Sequence, residues 1–280
     1  MIFFPHAKIN VGLQVLRKRD DGFHDLSLSF VPLWDLTDIL EIVPALDGVD
    51  FFEVIDFSEW QGNSRSALSS VDNLVIRARN ILREHTNVPP CKIYLHKHIP
   101  VGAGLGGGSS DAAYTLRGLN EVFSLGLDKQ TLQEMCRELG SDCAFFLEDG
   151  ARMASGRGDV FTSFPSREFQ EYDVIVIKPP FSISTSEAYR NVTPNSDRQP
   201  LEEILKLPIE QWRGKVENDF ENSLRETYPQ ISEIKDELYK NGALYASLSG
   251  SGSAVYGIFR ADTVNYELRT CNGFKSKIVS

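Results

Sequence analysis

Apolar residues fall on every second position over residues 7–16, where Ile9, Val11, Leu13 and Val15 alternate with Lys8, Asn10, Gly12 and Gln14. That period predicts a half-buried strand with Lys8 and Asn10 on one side of it. Shorter runs predict strands at 26–31, 38–43, 49–55 and 92–99, so the first third is β-rich. Over 73–84 the period becomes helical, with Leu74, Ala78, Ile81 and Leu82 on one face and Asp72 as the expected cap. It is helical again over 109–123, where Ala112, Ala113, Leu116, Leu119 and Val122 align, and over 129–139, closed by Gly140 at a C′ position.

Gly156 and Gly158 within 150–164 predict a hairpin, and 174–177 a buried strand that Lys178-Pro179-Pro180 cannot continue. A short helix is expected at 184–189, and Asn218-Asp219-Phe220-Glu221 and Thr227-Tyr228-Pro229-Gln230 resemble capping boxes opening two more. The second of these runs over 231–240 to Asn241-Gly242. Strands at 244–248 and 254–259 flank Ser249-Gly250-Ser251-Gly252-Ser253, which fits either a hairpin turn or an anion nest. A helix over 261–270 and a strand near 275–279 close the chain, and the polar piece 58–70 reads as a mobile loop. A domain boundary is placed near 164–171, giving domains 1–165 and 166–280.

Between the strand at 92–99 and the helix at 109–123 lies Pro100-Val101-Gly102-Ala103-Gly104-Leu105-Gly106-Gly107-Gly108-Ser109-Ser110. A strand, a glycine loop and a helix N-terminus in that order read either as an ordinary glycine-rich turn or as a phosphate cradle, in which glycines admit close approach and the unpaired N–H groups and macrodipole favour an anion. Gly102, Gly104 and Gly107 alone also satisfy the dinucleotide fingerprint Gly-x-Gly-x-x-Gly. That alternative requires an acidic residue ending the next strand, and Glu121, at about the right distance, falls inside a predicted helix. No Gly-Lys-Ser or Gly-Lys-Thr follows, which excludes a P-loop.

The 280 residues carry 29 Lys and Arg against 39 Asp and Glu, a formal charge of −10, which argues against nucleic acid and anionic membranes as partners. Cys91, Cys136, Cys143 and Cys271 have neither Cys-x-x-Cys nor zinc spacing, so reduced thiols are expected. Met1 to Pro5 is too short for a secretory apolar segment, and a cytoplasmic enzyme is the expectation. Phe23-His24 after the turn Asp20-Asp21-Gly22 can pack in a core, or stack on a planar base and bond its edge. Asp142 follows a helix end and precedes an apolar run; it can cap a short turn, or serve as a carboxylate near the phosphate loop.

Lys8 with Asn10, residues 100–113 and residues 249–253, in that order, resemble the galactokinase, homoserine kinase, mevalonate kinase and phosphomevalonate kinase (GHMP) superfamily. Within it, residues 7–13, Asp21-Gly22-Phe23-His24, Gly140-Ser141-Asp142 and Asn218-Asp219-Phe220-Glu221 are similar to the 4-diphosphocytidyl-2-C-methyl-D-erythritol kinase family. The resemblance implies an α+β GHMP kinase fold with an N-terminal domain like ribosomal protein S5 domain 2 and a C-terminal ferredoxin-like domain. It implies transfer of the ATP γ-phosphoryl group to the 2-hydroxyl of a cytidine-diphosphate-linked methylerythritol, with Mg²⁺ expected, by a monomer or homodimer. It further implies that Asp142 is the general base, that Lys8 holds Asp142 ionised and steadies the attacking oxygen, and that Asn10 orients the polyol. Phe23 would stack on cytosine, His24 read its edge, Tyr189 close its other face, and Gly250 and Ser251 join the substrate side. Residues 100–110 would wrap the ATP phosphates, with Asn73 and Lys97 beside the adenine. No carboxylate pair marks itself as a metal site, Phe23 stands where Tyr is frequent and Ser249 where Thr is commoner, and Asp159, where Glu is frequent, receives no role.

Overall fold

The computed structural model describes residues 1–57, 72–165, 171–261 and 273–277. The loop expected at 58–70 and nearly all of the helix expected at 261–270 lie outside the described residues. The chain divides into two compact units: Met1–Ala7, Thr37–Val101 and Gly106–Asp149 form the first, and Lys8–Leu36, Gly102–Leu105 and Gly150–Ser280 the second.

In the first unit a four-stranded sheet has the order β1 (Ile2–Phe3), β5 (Ile39–Pro44), β7 (Cys91–Lys97), β6 (Phe51–Asp56). Strand β6 runs parallel to β7, and β1 and β7 both run antiparallel to β5. Helices α1 (Leu74–His85), α2 (Gly107–Val122) and α3 (Lys129–Leu139) and a 3-10 turn, Cys143–Leu147, complete it. Helix α2 is buried nearly all round, and a Cβ on Gly118 would stand 2.8 Å from both Ile42 and Phe3, so only glycine lets the helix lie this close to the sheet. Of the expected apolar stripe Ala112, Ala113, Leu116 and Leu119 are buried, while Val122, the last residue of the helix, is half-buried. The helix nevertheless begins at Gly107, two residues before the expected start, because Gly106 turns into it at φ +73°.

The cap of α1 is Asn73, not Asp72: the Asn73 side chain accepts from the Val75 N–H at 2.9 Å. Asp128 caps α3 by accepting from Thr131, and Gly140 ends that helix in extended backbone, at φ 171°, instead of the left-handed turn a C′ glycine supplies.

In the second unit the strand expected over 7–16 is broken into β2 (His6–Ile9), whose first two residues belong to the first unit, and β3 (Leu13–Lys18). The interruption falls at Gly12, which takes φ +79°. Its polar face is not solvated either, since Lys8, Asn10 and Gln14 are all buried. The strand expected at 26–31 extends over β4 (His24–Thr37), through Pro32, which lies beyond the residues that pair with β3 and β8. Strands β8 (Arg152–Gly156) and β9 (Val160–Ser163) are the expected hairpin and continue the order β2, β4, β8, β9, with β3 on β4.

A second antiparallel sheet has the order β11 (Tyr245–Leu248), β12 (Val255–Arg260), β10 (Tyr172–Ile177), β13 (Gly273–Lys277). Helices α4 (Thr185–Arg190), α5 (Leu201–Leu205), α6 (Asp219–Leu224) and α7 (Gln230–Lys240) accompany it. Ser184 and Asn218 cap α4 and α6 with their side chains. The box expected at Thr227 does not form: α7 starts at Gln230 behind Pro229, whose fixed φ of −59° opens the helix without a side-chain cap.

Candidate functional site

In the glycine loop, Gly102, Gly104 and Gly106 take φ of +68°, +81° and +73°, conformations that side-chain-bearing residues enter only at a cost. Within the first unit, Gly106 offers no side-chain cap to α2. The first-turn N–H groups, at Gly107, Gly108 and Ser109, therefore end the helix with the partial positive charge that suits an anion. Ser110 donates its N–H to Gly106 O at 2.9 Å, and its buried Oγ has no hydrogen-bond partner among the described residues.

Beneath this terminus lies an ionic triad. The Lys97 ammonium binds Asp38 Oδ2 and, at 2.7 Å, Asp111 Oδ2. All three side chains are almost completely buried. Asp38 Oδ1 also accepts the N–H groups of His98 and Ile99, the latter at 2.8 Å, fixing the chain where it leaves β7 for the loop. Burial disfavours the Lys97 ammonium, but the charges of Asp111 and Asp38 outweigh it and raise the pKa. Burial drives the Asp111 carboxyl well above the usual range despite Lys97, and Asp38 adds to that rise. The ammonium expected beside an adenine is thus committed inside the protein, and the Asn73 side chain is engaged in capping α1. Asp142 begins the 3-10 turn Cys143–Leu147 but makes no side-chain capping bond to it.

In the second unit the start of the glycine loop is locked to the turn at 249–253. A Cβ on Gly104 would lie 2.0 Å from Ser249 O, and one on Gly252 2.0 Å from Gly104 N. Ser249 Oγ donates to Gly104 O at 2.9 Å, and the Ala254 N–H donates to Ala103 O at 2.9 Å. The 249–253 segment is therefore a hairpin turn between β11 and β12 that also faces the first loop. Asn218 holds it, its Nδ2 donating to Leu248 O and Gly250 O, both at 2.9 Å. In the sequence Asn218 reads only as a helix cap; a second task 30 and 32 residues away leaves no local signal.

Lys8 and Asn10 meet against that turn. The Lys8 N–H donates to Leu105 O at 3.0 Å, and Lys8 Nζ donates to Asn10 Oδ1 at 2.6 Å. The ammonium also lies 5.3 Å from the centre of the Phe30 ring. Asn10 Nδ2 donates to Ser29 O, and the Tyr256 hydroxyl donates to Asn10 O, both at 2.9 Å. Gly250, at φ +57°, leaves room for the pair: a Cβ there would be 2.8 Å from Asn10 Oδ1 and 3.4 Å from Lys8 Nζ.

The aromatic residues gather as well. His24 stacks on Tyr189 with ring centres 4.8 Å apart, and Tyr189 meets Phe220 edge-on at 4.7 Å. Burial, and then the charge of Lys18, hold His24 below its ordinary pKa, so at pH 7 the neutral ring offers one donor and one acceptor. Phe23 remains 52% exposed. Ser251 Oγ lies 3.1 Å from Thr185 Oγ1, in hydrogen-bond contact.

Two family descriptions match: GHMP kinases N terminal domain over residues 73–150, and GHMP kinases C terminal over 193–270. The chain is 43% identical to the 4-diphosphocytidyl-2-C-methyl-D-erythritol kinase of Cytophaga hutchinsonii, over 97% of each chain. It is also 43% identical to the kinase of that name from Bacteroides thetaiotaomicron, over 94% of this chain and 93% of that one. A crystal structure of 4-(cytidine 5'-diphospho)-2C-methyl-D-erythritol kinase superposes with a TM-score of 0.79 at 28% identity, covering 100% of both chains.

Proposed function

Since the chain belongs to the 4-diphosphocytidyl-2-C-methyl-D-erythritol kinase family of GHMP kinases, we propose that it transfers the ATP γ-phosphoryl group to the 2-hydroxyl of 4-diphosphocytidyl-2-C-methyl-D-erythritol, in the non-mevalonate route to isoprenoid precursors. Its architecture is the α+β two-domain GHMP kinase fold. The observation that carries the reading to residues is the buried Lys8–Asn10 pair, bonded at 2.6 Å and seated on Gly250. A buried cation beside a glycine-lined turn supplies the charge stabilisation that phosphoryl transfer asks of a protein.

In this reading Asp142 takes the hydroxyl proton, Lys8 steadies the attacking oxygen, and Asn10 orients the polyol. Residues 100–110 wrap the ATP phosphates, and Asn73 lies beside the adenine. Lys97 serves from below, through the end of β7. Phe23 stacks on the cytosine; His24 and Tyr189, already face to face, complete the base site, with Gly250 and Ser251 beside the acceptor. Domain 1–165 serves ATP and also supplies Asn10, Phe23 and His24 to the acceptor, domain 166–280 serves the acceptor through Tyr189, Gly250 and Ser251, and the enzyme works in the cytoplasm.

Magnesium accompanies the nucleotide, neutralising phosphate charge. Among the described residues no cluster of three or more His, Cys, Asp or Glu could hold a metal. Mg²⁺ in such sites is held largely by phosphates and water, with one or two carboxylates or, at the start of the helix after a phosphate loop, a Ser or Thr hydroxyl. The unpartnered Ser110 hydroxyl, a hard oxygen in the first turn of α2, fits that demand.

The test measures ADP release with the cytidine-linked methylerythritol, homoserine and mevalonate side by side. Turnover is expected with the first; turnover with homoserine or mevalonate alone refutes the acceptor assignment. In the same assay Asp142→Asn is expected to lower kcat by about 10²–10⁴ with the ATP KM retained. Wild-type turnover in that variant removes Asp142 from the mechanism.

A further inference from the structure

Arg157 occupies the tip of the β8–β9 hairpin, between Gly156 at φ +66° and Gly158 at φ +91°. Asp159 fastens it there: Oδ1 accepts the Arg157 backbone N–H at 3.1 Å, and Oδ2 accepts from Nη2 at 3.4 Å. The guanidinium then lies over the Phe23 ring, 5.1 Å from its centre. The backbone of Phe23 is tied as well, its N–H donating to Asp21 Oδ1 at 3.1 Å and its carbonyl accepting from the Arg19 N–H at 2.8 Å. Arg19 is itself clamped by Asp21 and Asp25. Yet the ring so carefully held is 52% exposed. Charged side chains thus fix the backbone and cover one face of an aromatic ring while leaving much of it in water, an arrangement that orients the ring for a flat ligand.

We propose that Arg157, braced by Asp159, is a positioning residue for acceptor specificity: it occupies one face of Phe23, so that the pyrimidine of the nucleotide-linked acceptor stacks on the other. This rests on the base-stacking role given to Phe23 under the proposed function. The attraction of a guanidinium for the ring's electron-rich face keeps the ring in one orientation before substrate arrives, which lowers the ordering cost of binding. It also gives a task to Asp159.

Steady-state kinetics of the full-length enzyme, with the cytidine-diphosphate-linked acceptor varied at saturating ATP, test this in Arg157→Ala, Arg157→Lys, Phe23→Leu and the double variant Phe23→Leu/Arg157→Ala. Arg157→Ala is expected to raise the acceptor KM roughly two- to five-fold, the size of an exposed cation–ring contact, with kcat and the ATP KM in place. Arg157→Lys, which keeps a cation over the ring, restores most of the loss. In the Phe23→Leu background, removing Arg157 changes KM no further. An unchanged KM in Arg157→Ala, or an equal rise with and without the Phe23 ring, overturns the proposal. A wild-type KM in Phe23→Leu overturns the stacking role itself, a failure that the single variants keep distinct from the first.

Discussion

Replacing Lys97 by Met tests whether the buried triad holds the entrance to the glycine loop by charge. The substitution keeps most of the side-chain volume and removes the cation that serves Asp38 and Asp111. Breaking a buried pair by deleting one partner costs about 3–5 kcal/mol. Two features of the site place the expected loss near the lower end, about 3 kcal/mol. Asp38 keeps the N–H groups of His98 and Ile99, and Asp111, pushed up by burial, can take a proton instead of remaining an unpaired anion. At roughly 2–4 °C per kcal/mol, the melting temperature falls by about 6–12 °C.

The pH dependence has a definite sign. A carboxyl whose pKa is raised on folding binds more protons in the native state than in the unfolded chain, so its contribution to stability declines as pH rises above the ordinary carboxylate value. Without Lys97 that rise is larger, and the variant is expected to lose more relative to wild type at pH 8 than at pH 5. Adding Asp111→Asn removes the need for a proton and recovers much of the loss. The measurement is thermal unfolding at the two pH values. A melting temperature within 2 °C of wild type, or a deficit equal at both, refutes the electrostatic account.

Gly250→Ala combines a left-handed φ of +57° with a Cβ 2.8 Å from Asn10 Oδ1. It is expected to cost about 1–2 kcal/mol and at least about a tenfold loss of kcat, because Lys8 and Asn10 must shift. Gly214→Ala, at φ +75° with nothing within 4 Å, supplies the control: similar strain with kcat retained, read from unfolding and turnover together. His6, donating Nδ1–H to Ala7 O and ringed by Tyr114, Phe145 and Phe146, has its pKa lowered by burial to about 4. The unfolded chain takes up that proton first as pH falls from 6.5 to about 4, so stability declines over that window by up to about 3 kcal/mol. Urea unfolding of His6→Phe is expected to show a shallower decline, and an identical slope refutes the assignment.

Local patterns carried much of the fold. The hairpin of β8 and β9, the span of α3 and the stripe of α2 follow from periodicity and glycine placement, because in each the neighbours that decide the conformation lie a few residues away. The errors share the opposite cause. Residues 7–16 alternate like one strand, yet a left-handed glycine breaks the ladder and distant segments bury Lys8 and Asn10, so alternation there did not mean half exposure. Glu221 reads as a capping partner of Asn218, but its carboxylate accepts from Ser247 Oγ, the Leu248 N–H and Lys235. Lys97 reads as a candidate nucleotide contact, and no local signal shows that its ammonium also bonds Asp38, 59 residues away in sequence.

The two glycine-rich segments explain each other. A flexible loop of this composition costs conformational entropy to order, and nothing in residues 100–110 taken alone offsets that cost. In the second unit the compensation comes from 249–254, whose backbone meets Ala103 and Gly104 so closely that a single methyl on Gly104 or Gly252 would fall 2.0 Å from a main-chain atom. The absent side chains are thus what permits main chain to brace main chain, and Ser249, bonding Gly104 O from 145 residues away, completes the brace. A loop fixed in this way is ordered before any ligand arrives, so less of the binding energy would be spent on ordering it.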